Sequence, residues 1–247
     1  IAQTRLRLTR GHASLADFAS GHEYFVLHFE NDQCVLRDCA PNAAERFLIG
    51  DMSAWQEKAE FDLKARHDWS WEIRLAAEKL QHGTLYRLRM HWPGGEGDRI
   101  PAYARRVVQD PQSLIFNAQV WRPDSPYQWQ CKDFRRASDA PLIYEVHIGM
   151  AQETGKIGSY SEFTENILPR VAATGYNTLQ IMAIPEHPYY GSFGYQVSSF
   201  FAASSRFGTP EDFKALIDAA HASGLAVMID LIHSHAVCNE VEGLSRF

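Results

Sequence analysis

Three short clusters carry residue types that could handle a polar ligand. His147, Gly149 and Met150 follow one apolar run. Glu186, His187, Tyr189 and Tyr190, then Phe193-Gly194-Tyr195-Gln196, follow a second. Asp230 and His233-Ser234-His235 close a third. Carboxylates and imidazoles hydrogen-bond hydroxyl groups, and a tyrosine ring packs on the apolar face of a sugar. The combination therefore suits a polyhydroxylated ligand. Each residue also has a plainer reading. Asp230 would cap backbone amides or pair with a base, His235 would be a satisfied loop histidine, and Tyr195 a core aromatic. Position at strand ends favours a site role for these three. His187 and Tyr190 stand evenly between the two readings, and His147 reads as a packed strand residue.

The elements that must position these clusters alternate strand and helix. Leu142–Ile148, Asn177–Ile184 and Leu225–Ile232 read as strands, the last nearly all apolar, as expected of a parallel strand covered on both faces. Ser159-Tyr160-Ser161-Glu162 is a capping box, followed by Phe163, Ile167, Leu168 and Val171 at helical spacing, with Pro169 predicting a bend and Gly175 a stop. Thr209-Pro210-Glu211-Asp212 opens a second helix whose apolar face is Phe213, Leu216, Ile217 and Ala220, ended by Gly224. This β-α-β-α-β order predicts a parallel sheet with its site outside the carboxyl ends of the strands. His233-x-His235 with Asp230 and Glu186 would also serve as a metal-ligand set. Its place after the third strand rather than the first argues against that, so no metal and no cofactor is expected.

Upstream the pattern changes. Tyr24–Phe29, Cys34–Arg37, Arg46–Gly50, Trp69–Ile73 and Leu85–Met90 are short runs rich in aromatic and branched residues, separated by turn clusters such as Pro41-Asn42. They predict a β-sandwich. Leu85, Arg87 and Arg89 alternate with Tyr86, Leu88 and Met90, so one face is expected to be wet. Pro93-Gly94-Gly95-Glu96-Gly97 reads as a hairpin turn rather than a phosphate cradle. Trp69, Trp71 and Trp92 read as core residues ahead of sugar-stacking platforms. Ser14–Phe18 reads as a short helix. The expected organisation is a sandwich over 1–110, a linker over 111–140, and an incomplete β-α-β-α-β unit over 141–247.

Composition narrows the class of function. The chain has 247 residues with 30 acidic and 24 basic side chains, net −6, which argues against a nucleic-acid partner or an anionic membrane surface. No run approaches the ~20 apolar residues of a membrane span. Cys34, Cys39, Cys131 and Cys238 form no C-x-x-C pair, and no leader series opens the chain, so a reduced, cytoplasmic protein is expected.

Ala226-Val227-Met228-Ile229-Asp230-Leu231-Ile232-His233-Ser234-His235-Ala236 resembles the first signature region of the α-amylase superfamily, glycoside hydrolase family 13. Ser234, where most members carry Asn, narrows the likeness to the eukaryotic-like α-1,4-glucan branching enzymes. The likeness continues through Tyr144–Met150, Gly175–Gln180, Met182–His187, Ser192–Val197 and Ser204–Asp212. It also covers Ala40–Ala43 and Gly50–Trp55, which look like the family's carbohydrate-binding sandwich.

The resemblance implies an Ig-like β-sandwich followed by the first part of a (β/α)8 barrel. It implies an α-glucan partner such as glycogen, amylose or starch. It implies cleavage of an α-1,4 link with transfer to a 6-hydroxyl, through a covalent glycosyl-enzyme intermediate. Tyr195 would match the tyrosine that stacks on the sugar, His235 the histidine bonding its hydroxyls, and Asp230 a supporting aspartate; His187 and Tyr190 complete the expected substrate-binding set. The family's nucleophile and acid/base lie on later strands, beyond Phe247, so no catalytic residue is assigned and the chain by itself is expected to be inactive. Two alternatives remain: a non-catalytic glucan-binding module, and another glucan hydrolase of the same family.

Overall fold

A computed structural model describes residues 2–66, 69–136 and 140–238. The N-terminal segment is three short helices, α1 (Ala2–Thr9), α2 (Leu15–Phe18) and α3 (Gly21–Tyr24). Ser14 caps α2 in a capping box with Asp17. The aromatic run expected to start at Tyr24 thus begins as helix and becomes strand only at Leu27.

Two antiparallel sheets follow. One has the order β1 (Leu27–Glu30), β2 (Gln33–Cys39), β5 (Ser70–Ala76), β4 (Lys64–Ala65); the other β3 (Glu45–Gly50), β6 (Leu85–Trp92), β9 (Phe116–Gln119), β8 (Val107–Gln109), with β7 (Gly95–Arg99) also on β6. The hairpin turn falls at Pro93-Gly94, and the glycines after it belong to β7, with Trp92 opposite Gly95. Tyr86, Leu88 and Met90 face the interior beside Phe61, Leu63, Ile73 and Phe116. The other face of β6 is less wet than expected. Arg87 is buried, and Arg89 pairs with Asp98 and Glu57.

Strand parity places one charge inside. Leu48 pairs with Leu88 and Arg46 with Met90, so Arg46 points the same way as Leu48 into the core. Asp38 meets it there: Arg46 Nη1 donates to Asp38 Oδ2 at 2.9 Å, with both side chains almost wholly buried. Burial pushes the Asp38 carboxyl up to about 6 against the pull of Arg46, so the pair is ionic at neutral pH. The tryptophans divide. Trp71 is half-buried, its indole N–H donating to Ala40 O at 3.2 Å, and Trp92 lies under Arg99. Trp69 is 74% exposed, which corrects its reading as core.

The range expected as linker opens with β9, a strand of the sandwich. Beyond Gln119 the chain runs extended over α6 (Pro210–Ala222), pinned by Asp218. That carboxylate accepts from Tyr127 OH at 2.8 Å, Gln130 N at 2.7 Å and Cys131 N at 2.8 Å. The helix face bearing Asp218 is therefore covered.

The second lobe carries the parallel sheet β10 (Ile143–Val146), β11 (Thr178–Ile181), β14 (Ala226–Ile229), in that order and in register. The strands are shorter than the apolar runs that predicted them. A helix interrupted at Ile167 spans the first crossover, as α4 (Tyr160–Asn166) and α5 (Leu168–Ala173), with Pro169 in the first turn of α5. Helix α6 spans the second, capped by Thr209 and Asp212. Leu179 and Ile181 are buried against Phe163, Leu168, Val171 and Leu216. The opposite face stays open: Met228, paired with Gln180, is exposed there, and Ile229 at the end of β14 is exposed too, unlike the doubly covered strand expected. A two-stranded ribbon, β12 (Pro185–Glu186) and β13 (Ser199–Ala203), lies between β11 and α6 in sequence. Its Ala202 joins the sandwich core, so the lobes share packing.

Asp38→Ala is expected to lower the unfolding free energy by about 3–5 kcal/mol in urea denaturation, because it leaves the Arg46 charge buried and unpaired. Replacing both residues by apolar ones of similar volume should cost much less.

Candidate functional site

Residues following β11 and β14 meet at the carboxyl end of the sheet. The chain after β14 runs beside the 195–200 segment: Val237 N donates to Val197 O at 2.9 Å, and the His233 ring stacks on Phe200 at 6.0 Å. His235 Nε2 donates to the Tyr195 carbonyl at 2.6 Å. A carbonyl only accepts, so the proton sits on Nε2 and Nδ1 accepts from Ser234 Oγ at 2.9 Å. His235 and Tyr195 are thus joined directly, with both imidazole nitrogens engaged.

Tyr195 is 36% exposed, its ring presented at the surface. Its phenol is pushed up by burial and then by the Asp230 and Glu145 charges. Gly194 makes this presentation possible. It has φ +87°, and a Cβ there would lie 1.9 Å from Ala183 O. Only glycine accommodates both the left-handed backbone and that approach.

Asp230 is oriented by a residue the sequence reading passed over. Gln180 Nε2 donates to Asp230 Oδ1 at 2.9 Å and to Glu145 Oε1 at 3.3 Å. Register explains the meeting: Glu145 sits opposite Gln180 across the β10–β11 pair, on the open face, and Asp230 follows on the neighbouring strand. Polar residues at matching positions of successive strands were the available signal.

The remaining predicted residues lie deeper. His187 is fully buried, so it offers no surface to a ligand in this arrangement. Its Nδ1 donates to Pro185 O at 3.0 Å. Tyr190 is half-buried and packs edge-on against His147 at 5.9 Å, beside Phe193. His147 is buried among Tyr190, Phe193 and Phe207. Neither His147 nitrogen, nor His187 Nε2, has a hydrogen-bond partner among the described residues. Burial holds both imidazoles below the usual histidine range, and each remains neutral at pH 7.

Glu186 does not face the mouth. Its carboxylate is buried, accepting at Oε1 from His187 N (3.1 Å), Ser204 Oγ (3.0 Å) and Arg206 Nη1 (3.2 Å), and at Oε2 from Ser205 N (2.7 Å) and Ser205 Oγ (2.9 Å). Arg206 also donates to the carbonyls of His187 and Pro188. Every lone pair of Glu186 that could serve a metal or a proton transfer is committed to holding the loop.

An antiparallel sandwich joined to a parallel sheet with polar loops at its carboxyl end is a carbohydrate-active architecture by its matches. Residues 25–111 match carbohydrate-binding module 48, the isoamylase N-terminal domain, and residues 173–242 match the alpha amylase catalytic domain. Both matches are to domains of the α-amylase superfamily, glycoside hydrolase family 13. The chain is 42% identical over 237 residues to the 1,4-alpha-glucan-branching enzyme of Rhizophagus irregularis, covering 93% of this chain and 34% of that one. It is 38% identical over 252 residues to the Dictyostelium discoideum enzyme of the same description, covering all of this chain and 37% of that one. The chain therefore spans about a third of the length of the curated relatives it matches. A Paenibacillus barengoltzii pullulanase complexed with maltotriose shares the fold, with a TM-score of 0.70 at 17% identity over 94% of this chain and 42% of that one. A group B Streptococcus pullulanase in complex with maltotetraose does so at a TM-score of 0.69 and 16% identity, covering 86% and 34%.

Gly194→Ala is expected to lower stability by more than about 2 kcal/mol in urea unfolding, combining left-handed strain with a backbone collision. The two buried imidazoles set a pH dependence. Their folded pKa values lie below the unfolded value of 6.5, so the unfolded chain takes up protons that the folded one refuses. Their contribution to stability is complete above about pH 6.5 and is lost as the pH falls below it. Between pH 7.5 and 5.5 the melting temperature of the unaltered chain should fall relative to that of His147→Phe, a comparison in which the opposing proton uptake by Asp38 cancels.

Proposed function

We infer that this chain forms the sandwich and the first barrel strands of an α-1,4-glucan branching enzyme. The observation that carries the reading is the 42% identity to a branching enzyme across both the sandwich and the barrel start. The ligand is an α-glucan. Tyr195 supplies the stacking face, and His235 bonds sugar hydroxyls by exchanging its Ser234 contact for a ligand hydroxyl. Asp230 orients the same sugar while tied to Gln180. Tyr190 and His187 support the loop from behind, the second without touching sugar. None of these residues is assigned as nucleophile or acid/base. A retaining transfer needs two carboxyl groups about 5–5.5 Å apart. Glu186 is committed elsewhere, and Asp230 and Glu145 share one amide.

The chemistry of transfer rather than hydrolysis then rests on excluding water from a glycosyl-enzyme intermediate, so that a 6-hydroxyl attacks it. Neither nucleic acid nor membrane is a partner in this reading. No helix among the described residues is long and apolar enough to cross a bilayer. The setting is the reducing cytoplasm, in keeping with cysteines that form no disulfide among the described residues.

A hybrid in which this chain replaces the matching segment of the Rhizophagus irregularis relative tests the proposal. Amylose treated with it should gain α-1,6 links, measured by anomeric proton NMR, with few new reducing ends. Release of many reducing ends would instead make the activity hydrolytic and overturn it. Tyr195→Ala in the hybrid should lower kcat/KM by roughly a hundredfold, about 2.7 kcal/mol of transition-state binding. The 247-residue chain by itself should leave amylose unchanged.

A further inference from the structure

His147 is a buried titratable side chain that the proposed chemistry does not use. It follows β10 directly, 7% exposed, between the core of the second lobe and the loop that carries Tyr195. On the core side it meets Phe207 edge-on at 5.5 Å and 89°, and Phe207 is itself buried, 5.9 Å from Tyr160. On the loop side it meets Phe193 at 5.3 Å and 84°, and Tyr190 at 5.9 Å and 69°. Gly149, two residues on, lets these rings close together. A Cβ there would lie 2.7 Å from Tyr190 Oη, 2.8 Å from Phe207 Cε1 and 3.2 Å from His147 Cε1.

The loop needs such a hold. Phe193 has φ +52° and ψ +31°, and Gly194 follows at φ +87°. These successive left-handed residues turn the chain sharply just before Tyr195. The turn is closed by Phe193 N donating to Tyr190 O and Tyr195 N donating to Ser192 O, each at 2.9 Å. Glycine adopts this backbone freely, whereas a phenylalanine is strained in it and keeps it only where its surroundings fix it. Phe193 is 39% exposed, so burial of its own ring holds it only in part. The edge-on contact with His147 supplies the rest, since aromatic rings favour that geometry and His147 is itself wedged against the buried Phe207. Beyond the turn, His235 grips the Tyr195 carbonyl from the other side.

We propose that His147 is a positioning residue for Tyr195, acting through Phe193 and Tyr190 to lock the left-handed turn that presents the tyrosine ring. The proposal rests on the α-glucan reading of Tyr195 above. What His147 contributes is its ring. Neither nitrogen has a hydrogen-bond partner among the described residues, and burial keeps the imidazole neutral. It therefore packs as a small flat ring between the core and the turn.

In the hybrid enzyme, His147→Ala should lower kcat/KM about tenfold, and His147→Phe, which keeps a ring, should recover most of the loss. The loss should run through Tyr195. In a Tyr195→Ala background, adding His147→Ala should change kcat/KM less than about twofold, whereas a merely structural role would multiply the two losses. A 3-fluorotyrosine placed at position 195 reads the ring independently of activity. Its fluorine NMR signal should shift or broaden in His147→Ala and keep its place in His147→Phe. Losses that multiply, a fluorine signal unmoved by His147→Ala, or a His147→Phe enzyme as impaired as His147→Ala each overturn the proposal. A hybrid that forms no α-1,6 links overturns the branching reading instead, and the fluorine signal then decides the positioning by itself.

Discussion

The buried carboxylate of Glu186 is the constraint around which the site is arranged. A charge removed from water must find hydrogen-bond donors, or its desolvation outweighs what the fold gains. Glu186 finds them in Ser204, Ser205, Arg206 and the amide of His187. Satisfying it folds the start of the ribbon back on its end, so β12 and the residues after β13 cannot move independently. Arg206 completes the closure through the His187 and Pro188 carbonyls, and its guanidinium lies 5.5 Å over Phe116 of the sandwich. The segment bearing Tyr190 and Tyr195 is the loop strung between those fixed ends.

The same closure joins the lobes. Ala202 of the ribbon packs into the sandwich core, Arg106 Nη1 donates to Gly208 O at 2.8 Å, and Trp121 donates to Glu211. Asp218 holds the extended segment against α6, and Phe134 stacks on His221 of that helix at 4.1 Å. A sandwich held this way packs as one wall of the second lobe rather than as a tethered accessory. The mouth is built of loops at strand ends, where residues of several strands converge.

Much of this was legible in the residues. Local interactions write directly into sequence, which is why the capping boxes at Ser159 and Thr209 and the stops at Gly175 and Gly224 stand where the pattern put them, while the helix break falls at Ile167, two residues ahead of Pro169. The apolar runs located each parallel strand, though not its ends, because the hydrogen-bonded ladder stops where the neighbouring strand stops. Tyr195 and Asp230 were placed at the mouth by their position after strands.

Where long-range packing decides, residue type misleads. Arg46 is a charged residue read inside a strand, yet register with Met90 turned it into the core, and the chain supplied Asp38 from the opposite sheet. His187 looked like a ligand contact and is buried, because its neighbour Glu186 drew the loop inward. Trp69 looked like core and stands in solvent. Gln180 was silent in the sequence because its meaning lies in two partners 35 and 50 positions away. The sequence by itself thus determined the family, the order of elements and their local caps, since these depend on neighbours along the chain. Only the tertiary structure decided which polar groups are spent on holding the fold and which remain for a ligand, since burial and partnership are properties of contacts between distant segments.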